Sequence, residues 1–387
     1  MGKKIINHDV IVLGVGGMGS SVCYHLAKRG LNVLGLEQFA IPHHKGSSHG
    51  ETRVIRKAYF EHPDYVPLLS RSYELWGELE KESGQQIFNE CGLVVYADKN
   101  STVYRGISRS SKDYNLPLEE MGVREAITRW PVYKPDDRHS VLYEPDAGFI
   151  YSEKAILSFV NLARRSGATI KENQHVLRYD SNKQGVIVKT DTESFAAKKL
   201  VITAGAWSAY ILEDLRIPFT LLRKNLSWHN AGSMHDIDNH MPCALFEVGE
   251  HLFYMFPMID KKCVKIGKHT GGEVLQRPEQ KQIVKPDQSY LEPLQNFIQS
   301  YLPEVSADYN DFVSCIYTNT PDGNFVIDIH PRDPNIIFAC GFSGHGFKFA
   351  SVIGEIMADL TVNGKSDLLK DFIKLRIFEK PDDNQTS

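Results

Sequence analysis

Short apolar runs alternating with helical patterns organise the chain. Val10 to Leu13 read as a strand buried on both faces. Val22, Leu26 and Ala27 then share one helical face, Gly30 stops that helix, and Leu31 to Leu36 form a second apolar strand. A polar, glycine-punctuated loop runs from Ile41 to Arg56. Tyr65, Leu68, Leu69, Leu75, Trp76 and Leu79 predict a helix over 64–84. Gly92 to Ala97 reads as a strand entering new territory, and the periodicity between about 92 and 147 is broken and charged. Ser152 caps a predicted helix through Arg165 that Gly167 ends, with strands following at 168–171 and 185–189. Lys199 to Trp207 reads as a buried strand leading into a turn of small residues. Residues 217–315 alternate, which predicts an antiparallel sheet with one face open to a ligand, covered by a helix over 290–302. A final buried strand at 335–340 runs into Gly341 to Lys348, and Phe349, Val352, Ile353, Ile356, Met357 and Leu360 then mark a last helix. The tail from Pro381 has nothing to bury and reads as disordered.

The first strand, helix and second strand carry a specific chemistry. Gly14, Gly16 and Gly19 stand in G-x-G-x-x-G spacing, and Glu37 follows the second strand, 23 residues past Gly14. Gly14 permits the tight turn, Gly16 lets backbone approach a pyrophosphate, and Gly19 lets the helix lie close to the sheet. The helix N-terminus offers unpaired N–H groups to phosphate, and Glu37 can accept ribose hydroxyl protons. This order of elements predicts a dinucleotide site. The chain leaves the nucleotide unit and returns to it twice. That predicts an α/β, two-domain (α+β) architecture: a Rossmann-like nucleotide domain over 1–86, 148–216 and 320–387, interleaved with an antiparallel-sheet substrate domain over 87–147 and 217–319. A plain nicotinamide dehydrogenase keeps its nucleotide unit contiguous, so the interleaving favours a flavin lying between the two.

Bulk properties narrow the class further. A net charge of −4 gives no electrostatic reason to expect nucleic acid or an anionic membrane. Residues 1–8 lack the apolar run of a signal peptide, Ile6 stands where myristoylation needs Ser or Thr, and no apolar stretch is long enough to span a membrane. The six cysteines, Cys23, Cys91, Cys243, Cys263, Cys315 and Cys340, form no C-x-x-C pair, which argues against a zinc site or disulfide framework and for the cytoplasm. No metal site is expected.

Four further stretches are more specific than the glycine triplet: Gly46-Ser-Ser-His-Gly-Glu-Thr-Arg-Val-Ile-Arg, Lys265-Ile-Gly-Lys-His, Cys315-Ile-Tyr-Thr-Asn-Thr-Pro-Asp and Gly341-Phe-Ser-Gly-His-Gly-Phe-Lys. Through them, and from Asp9 to about Phe378, the chain resembles the monomeric sarcosine oxidase group of flavoproteins, which includes N-methyltryptophan oxidase and pipecolate oxidase. The resemblance implies FAD, bonded through the Cys315 sulfur to the 8-methyl carbon of the ring. It implies that Arg56 and Lys348 clamp a substrate carboxylate, a fork and a point charge respectively. Gly344, His345, Gly346, Phe347 and Lys348 would border the flavin, whose pyrimidine edge gains negative charge on reduction. Arg53 and Lys265 would lie on the two ring faces, with Lys265 assisting the reaction with oxygen. His269 and Tyr317 would act beside the amine, with Tyr254 lining the same pocket. His49, Met18 and Val176 join Gly14, Gly16, Gly19 and Glu37 as implied cofactor contacts.

Taken alone, these side chains have plainer readings: Cys315 as a small buried hydrophobe, Lys265 and Lys348 as solvated lysines, His269 as a satisfied core histidine. The resemblance implies a monomeric oxidase that converts a secondary, N-methyl or cyclic amino acid to an imine that hydrolyses, with O2 reduced to H2O2. The Gly46 stretch looks closer to pipecolate oxidase, and the segments around Lys265 and Phe349 closer to N-methyltryptophan oxidase, so the substrate side chain stays open. An oxidase of glycated (fructosyl) amino acids, a flavin dehydrogenase passing electrons to a carrier, and a flavin-binding protein without turnover are the alternatives.

Overall fold

The computed structural model describes residues 7–282 and 285–378. The extreme N-terminal residues considered above and the tail from Pro381 lie outside the described residues. An eight-stranded sheet forms the first layer, and its centre is the strand Asn7–Leu13, parallel to Val33–Leu36 on one side and to Ser194–Ile202 on the other. Thr169–Lys171 extends it beyond Val33–Leu36, and Asp333–Cys340 adds in parallel to Ser194–Ile202. These central strands are apolar throughout because helices cover the sheet: all four residues of Val33–Leu36 are buried. The helix Gly17–Lys28 packs between Ser152–Arg165 and Ala350–Asn363. Its approach to the last helix is tight enough that a Cβ on Gly354 would sit 2.1 Å from Ser21 Oγ. That contact returns the C-terminal segment to the first strand–helix unit.

A nine-stranded, mainly antiparallel sheet forms the second layer. Its strands come from residues 93–144 and 220–319, with Thr220–Ala231 and Val305–Asn319 paired along most of their length. Helix Gln288–Tyr301 packs against it, capped by the Asp287 side chain on the Tyr290 N–H. A small third sheet, Thr52–Ile55 against Gly148–Tyr151 and Phe88–Asn89, bridges the regions and carries Arg53.

Several sequence expectations need correction. Ser152 does not cap its helix: Tyr151 occupies the cap, and Ser152 is the first helical residue, its Oγ donating to Glu153 Oε2 at 2.7 Å. Helices Thr102–Tyr114 and Val123–Arg129 occupy the stretch where the pattern was broken; the first is capped by Ser101, and its apolar stripe is a narrow one of Val103, Tyr104 and Ile107. The last helix starts at Ala350, and Lys348 sits in a single 3-10 turn before it.

The glycine turn behaves as its spacing requires. A Cβ on Gly19 would lie 1.8 Å from Gly14 O, whereas one on Gly16 would meet no protein atom within 4 Å. Gly19→Ala is therefore expected to push helix from strand and lower stability by about 1–3 kcal/mol. Gly16→Ala should melt like the parent without cofactor and lose dinucleotide affinity. Thermal melts with and without added FAD check both; equal melting of the two apo variants would contradict this assignment.

Candidate active site

One cavity of about 820 Å³ runs between the sheets. Gly14, Gly16, Met18, Glu37 and Val176 line one end, and Arg53, Arg56, Tyr254, His269, Cys315, Tyr317 and Gly344 to Lys348 line the other. Three expected residues, Gly19, His49 and Lys265, stand behind the wall. The Glu37 carboxylate takes the Val15 N–H at 2.8 Å and the Phe39 N–H at 3.2 Å, which fixes it at the tip of its strand. The long cavity, its glycine turn and this carboxylate fit an extended dinucleotide; Gly16 in particular leaves open space where a side chain would intrude.

The far end is built around buried positive charge. Arg56 stacks over the rings of Tyr59 and Phe60, each centroid 4.3 Å away, and donates from Nη2 to both Glu61 oxygens at 3.0 and 2.8 Å. Burial alone would raise the Glu61 carboxyl, but Arg56 holds it down at about 2. Lys348 Nζ donates to His345 O at 2.9 Å and to Tyr59 OH at 3.3 Å. Burial, reinforced by Arg56, lowers its ammonium to about 7. His345 Nε2 faces Gly323 O at 3.0 Å and so carries the proton, leaving Nδ1 to accept from Tyr59 OH at 2.6 Å.

His269 Nδ1 lies 3.3 Å from Tyr317 OH, and burial depresses its imidazole to about 3. Gly344, at φ +78°, lies flat against the Tyr317 ring, where a Cβ would come within 2.2 Å. Arg53 donates to the carbonyls of Ser47, His49 and Thr52. Lys265 Nζ donates to Gly50 O at 2.7 Å, Thr52 O at 2.8 Å and Thr52 Oγ1, and sits 4.0 Å over the Phe256 ring, which itself lines the cavity. His49 is equally set back: its Nε2 accepts from Lys281 Nζ at 3.1 Å and its Nδ1 has no partner. Cys315 lies directly across the strand pair from Lys224. Four cations act on its thiol, yet the thiol is raised: burial outweighs Arg53, Lys281, Lys224 and Lys265 together.

Sequence reasoning missed Tyr59, Glu61, Glu144, Lys224 and Lys281. Buried Glu144 accepts the backbone N–H groups of Lys57 and Ala58 at 2.5 and 3.1 Å, so it anchors the chain just after Arg56. Lys224 Nζ donates to the carbonyls of His269, Thr270 and Gly271 at 2.8, 2.9 and 2.7 Å, fixing the turn that carries His269. No periodicity or spacing marks these residues; only the fold brings Glu61 into the cavity wall and the other four behind it.

Comparison with known proteins identifies the family and the fold. Residues 9–360 match the profile of the FAD dependent oxidoreductase family. The chain belongs to that family. It is 38% identical over 365 residues to the monomeric sarcosine oxidase of Streptomyces avermitilis, covering 92% of this chain and 94% of that one. It is 36% identical over 357 residues to the N-methyl-L-tryptophan oxidase of Yersinia pestis, covering 91% and 94%. Among solved structures, NikD, an unusual amino acid oxidase essential for nikkomycin biosynthesis, superposes with a TM-score of 0.83 at 21% identity over 93% of this chain and 95% of that one. That likeness confirms the fold. Among the described residues no helix is long and apolar enough to cross a membrane.

The buried imidazoles set an acid limit. Burial holds His49, His269 and His345 at about 2, 3 and 4, against an ordinary 6.5. Between these values the unfolded state binds more protons, so stability falls as pH drops below 6.5, by on the order of 1–2 kcal/mol per imidazole at pH 5. Glu144, raised by burial to about 7 from 4.5, works in the opposite direction over its own window. Urea unfolding at pH 7 and pH 5 should show the net loss; equal midpoints would refute it.

Proposed function

We propose that this chain is a flavin-dependent oxidase of secondary (N-methyl or cyclic) amino acids, of the sarcosine oxidase type. The observation that carries the reading is the charge count at the far end of the cavity. Two buried cations, Arg56 and Lys348, face it, and one carboxylate, Glu61, is already paired with Arg56. Arg53 lines the same end but is engaged by three backbone carbonyls. Lys348 is therefore the cation there left without a carboxylate among the described residues, which suits one substrate carboxylate. The relatives' names and the family's cofactor support the same reaction class.

FAD, when bound, supplies the two-electron acceptor for amine oxidation and passes the electrons to O2, giving H2O2. The chain's own residues do the rest. Arg56 and Lys348 hold the acid end of the substrate, and the carboxylate restores the Lys348 charge that burial weakens. Neutral His269 and Tyr317 border the amine, and Tyr254 closes the same pocket. No side-chain carboxylate at this end, among the described residues lining it, is free to act as a strong base, since Glu61 is tied to Arg56. Most of the rate is then assigned to orientation and fixed positive charge. Arg53 supplies that charge at the wall, and Lys265, whose ammonium burial and Arg53 hold well below its usual range, adds to it from behind Thr52 and Phe256 as negative charge develops. Gly14, Gly16, Met18, Glu37, Val176 and residues 344–348 would hold the cofactor, with Gly19 and His49 supporting from behind the wall. Cys315 would bond its 8-methyl carbon. The two large sheets support dividing the chain into a nucleotide domain (1–86, 148–216 and 320–387) and a substrate domain (87–147 and 217–319), since every strand of each sheet falls in its own set. Six free cysteines support a reducing compartment, the cytoplasm.

The deciding experiment measures H2O2 release from sarcosine, N-methyltryptophan, pipecolate, proline and glycated amino acids in air. Flavin bleaching without peroxide, and turnover only with a dye, would indicate a dehydrogenase; turnover confined to glycated substrates would overturn the substrate class. Acid precipitation that leaves the yellow colour in the pellet supports the Cys315 bond, and its release to the supernatant removes it.

A second outcome follows from Lys348. Because its ammonium titrates near 7, inhibition by a simple carboxylate lacking an amine should weaken about tenfold per pH unit above that value. Lys348→Met should abolish this dependence and raise KM by about 30- to 150-fold, the worth of a charged contact of about 2–3 kcal/mol. Inhibition that is flat with pH in the parent would remove Lys348 from the clamp.

A further inference from the structure

Cys91 and Cys243 take no part in the cavity, and neither lines it. Their Sγ atoms lie 3.9 Å apart, the one contact between two thiols within hydrogen-bonding reach among the described residues. The backbone builds this approach. The Cys243 N–H donates to Gly92 O at 3.0 Å, pinning the residue after Cys91 beside the start of strand Cys243–Val248. Gly92 sits at φ +81°, and a Cβ there would fall 2.4 Å from Tyr143 OH, so the turn is closed to other residues. Cys91 is partly exposed and Cys243 fully buried. Cys91 is thus the member of the pair nearer solvent, with the sulfur of the buried partner held against its own.

We propose that Cys91 and Cys243 form a peroxide-responsive dithiol site that closes to a disulfide. The Cys91 thiolate attacks one oxygen of hydrogen peroxide, the O–O bond breaks, and a sulfenic acid and hydroxide result. The Cys243 sulfur then attacks the Cys91 sulfur, the S–O bond breaks, and the departing hydroxyl leaves as water with the Cys243 proton. In all, two thiols and one peroxide give one disulfide and two waters. The sulfurs must close by about 2 Å to reach bonding distance. The hydrogen bond from Cys243 holds the Cys91 thiol below its usual range, which favours Cys91 as the attacking group, while burial holds Cys243 well above its own. The source of oxidant rests on the oxidase reading above; the geometry of the pair does not.

The test exposes the full-length holoenzyme to hydrogen peroxide, unfolds it in an alkylating reagent and maps its peptides by mass spectrometry. A linked pair containing Cys91 and Cys243, about 2 Da lighter than the reduced peptides and released by dithiothreitol, is expected in most chains. It should be absent from Cys91→Ser and from Cys243→Ser, with Cys243 staying alkylatable in the first. Parent enzyme in which both thiols stay alkylatable, or in which Cys91 accumulates sulfinic acid without linking, would overturn the proposal. A second arm replaces added peroxide with amino acid substrate in air, with and without catalase. Linkage that needs turnover and is suppressed by catalase ties the site to the chain's own product. Linkage by added peroxide but none during peroxide-free turnover keeps the dithiol site and counts against the oxidase reading instead.

Discussion

Buried positive charge is the constraint around which this cavity is built. Arg56, Lys224, Lys265, Lys281 and Lys348 are all buried, and of these only Arg56 has a carboxylate partner among the described residues. Each ion removed from water costs several kcal/mol unless its hydrogen bonds are remade. The fold remakes them with backbone carbonyls: three for Lys224, two for Lys265, and one each for Lys281 and Lys348. Carbonyl dipoles satisfy the donors without cancelling the charge. Burial still lowers all four ammonium groups, so the positive charge of the wall strengthens when an anionic substrate, or a ring gaining negative charge, is present.

The supporting carbonyls come mostly from irregular backbone at the edges of strands. Ser47, His49, Gly50 and Thr52 belong to the polar loop before strand Thr52–Ile55 and its first residue, and His269, Thr270 and Gly271 form the turn after strand Cys263–Lys268. The regular sheets hold the ends of these loops in register, so the rigidity of the charge shell derives from strand pairing such as Thr220–Ala231 against Val305–Asn319. Lys224 shows the coupling most directly. It is a strand residue opposite Cys315, yet its ammonium fixes the turn behind His269. A side chain that neither lines the cavity nor faces solvent therefore links the two flanks of the site.

The part of this arrangement legible in the sequence is the part with local pattern. The G-x-G-x-x-G turn, the apolar central strands and the helix around Ile156 follow from periodicity and steric need, and they stand where expected. The stretches around Arg53, Lys265, Cys315 and Lys348 were visible as motifs. Glu61, Glu144, Lys224 and Lys281 were not, because each owes its place to a partner far along the chain: Glu144 to the backbone at residues 57 and 58, Lys281 to His44 and His49. The helix Thr102–Tyr114 escaped for a related reason: only four of its thirteen residues are buried, too few to draw a clear apolar face. The motif also overstated how close Lys265 and His49 stand to the cavity. Position along a strand says which face a side chain takes, but not whether Phe256 or Thr52 lies in front of it.

The two cations of the clamp differ in a way that bears on the proposed reaction. Arg56 keeps its charge whatever binds, and its pairing with Glu61 means a substrate carboxylate must share or displace that partner. Among the described residues Lys348 has no carboxylate partner, and burial beside Arg56 leaves its ammonium near 7, so its charge is half lost at neutral pH until an anion arrives. In the proposed clamp, binding of the substrate's acid end would then draw a proton onto Lys348. The oxidation needs the substrate amine unprotonated, so a proton has to leave one end of the ligand while one is taken up at the other. Tyr59, which accepts from Lys348 and donates to His345, joins the lysine to a neutral imidazole and steadies it in either state. The proposed clamp would therefore gain its full charge only as the acid end docks, with no unpaired side-chain carboxylate among the described residues lining that end of the cavity.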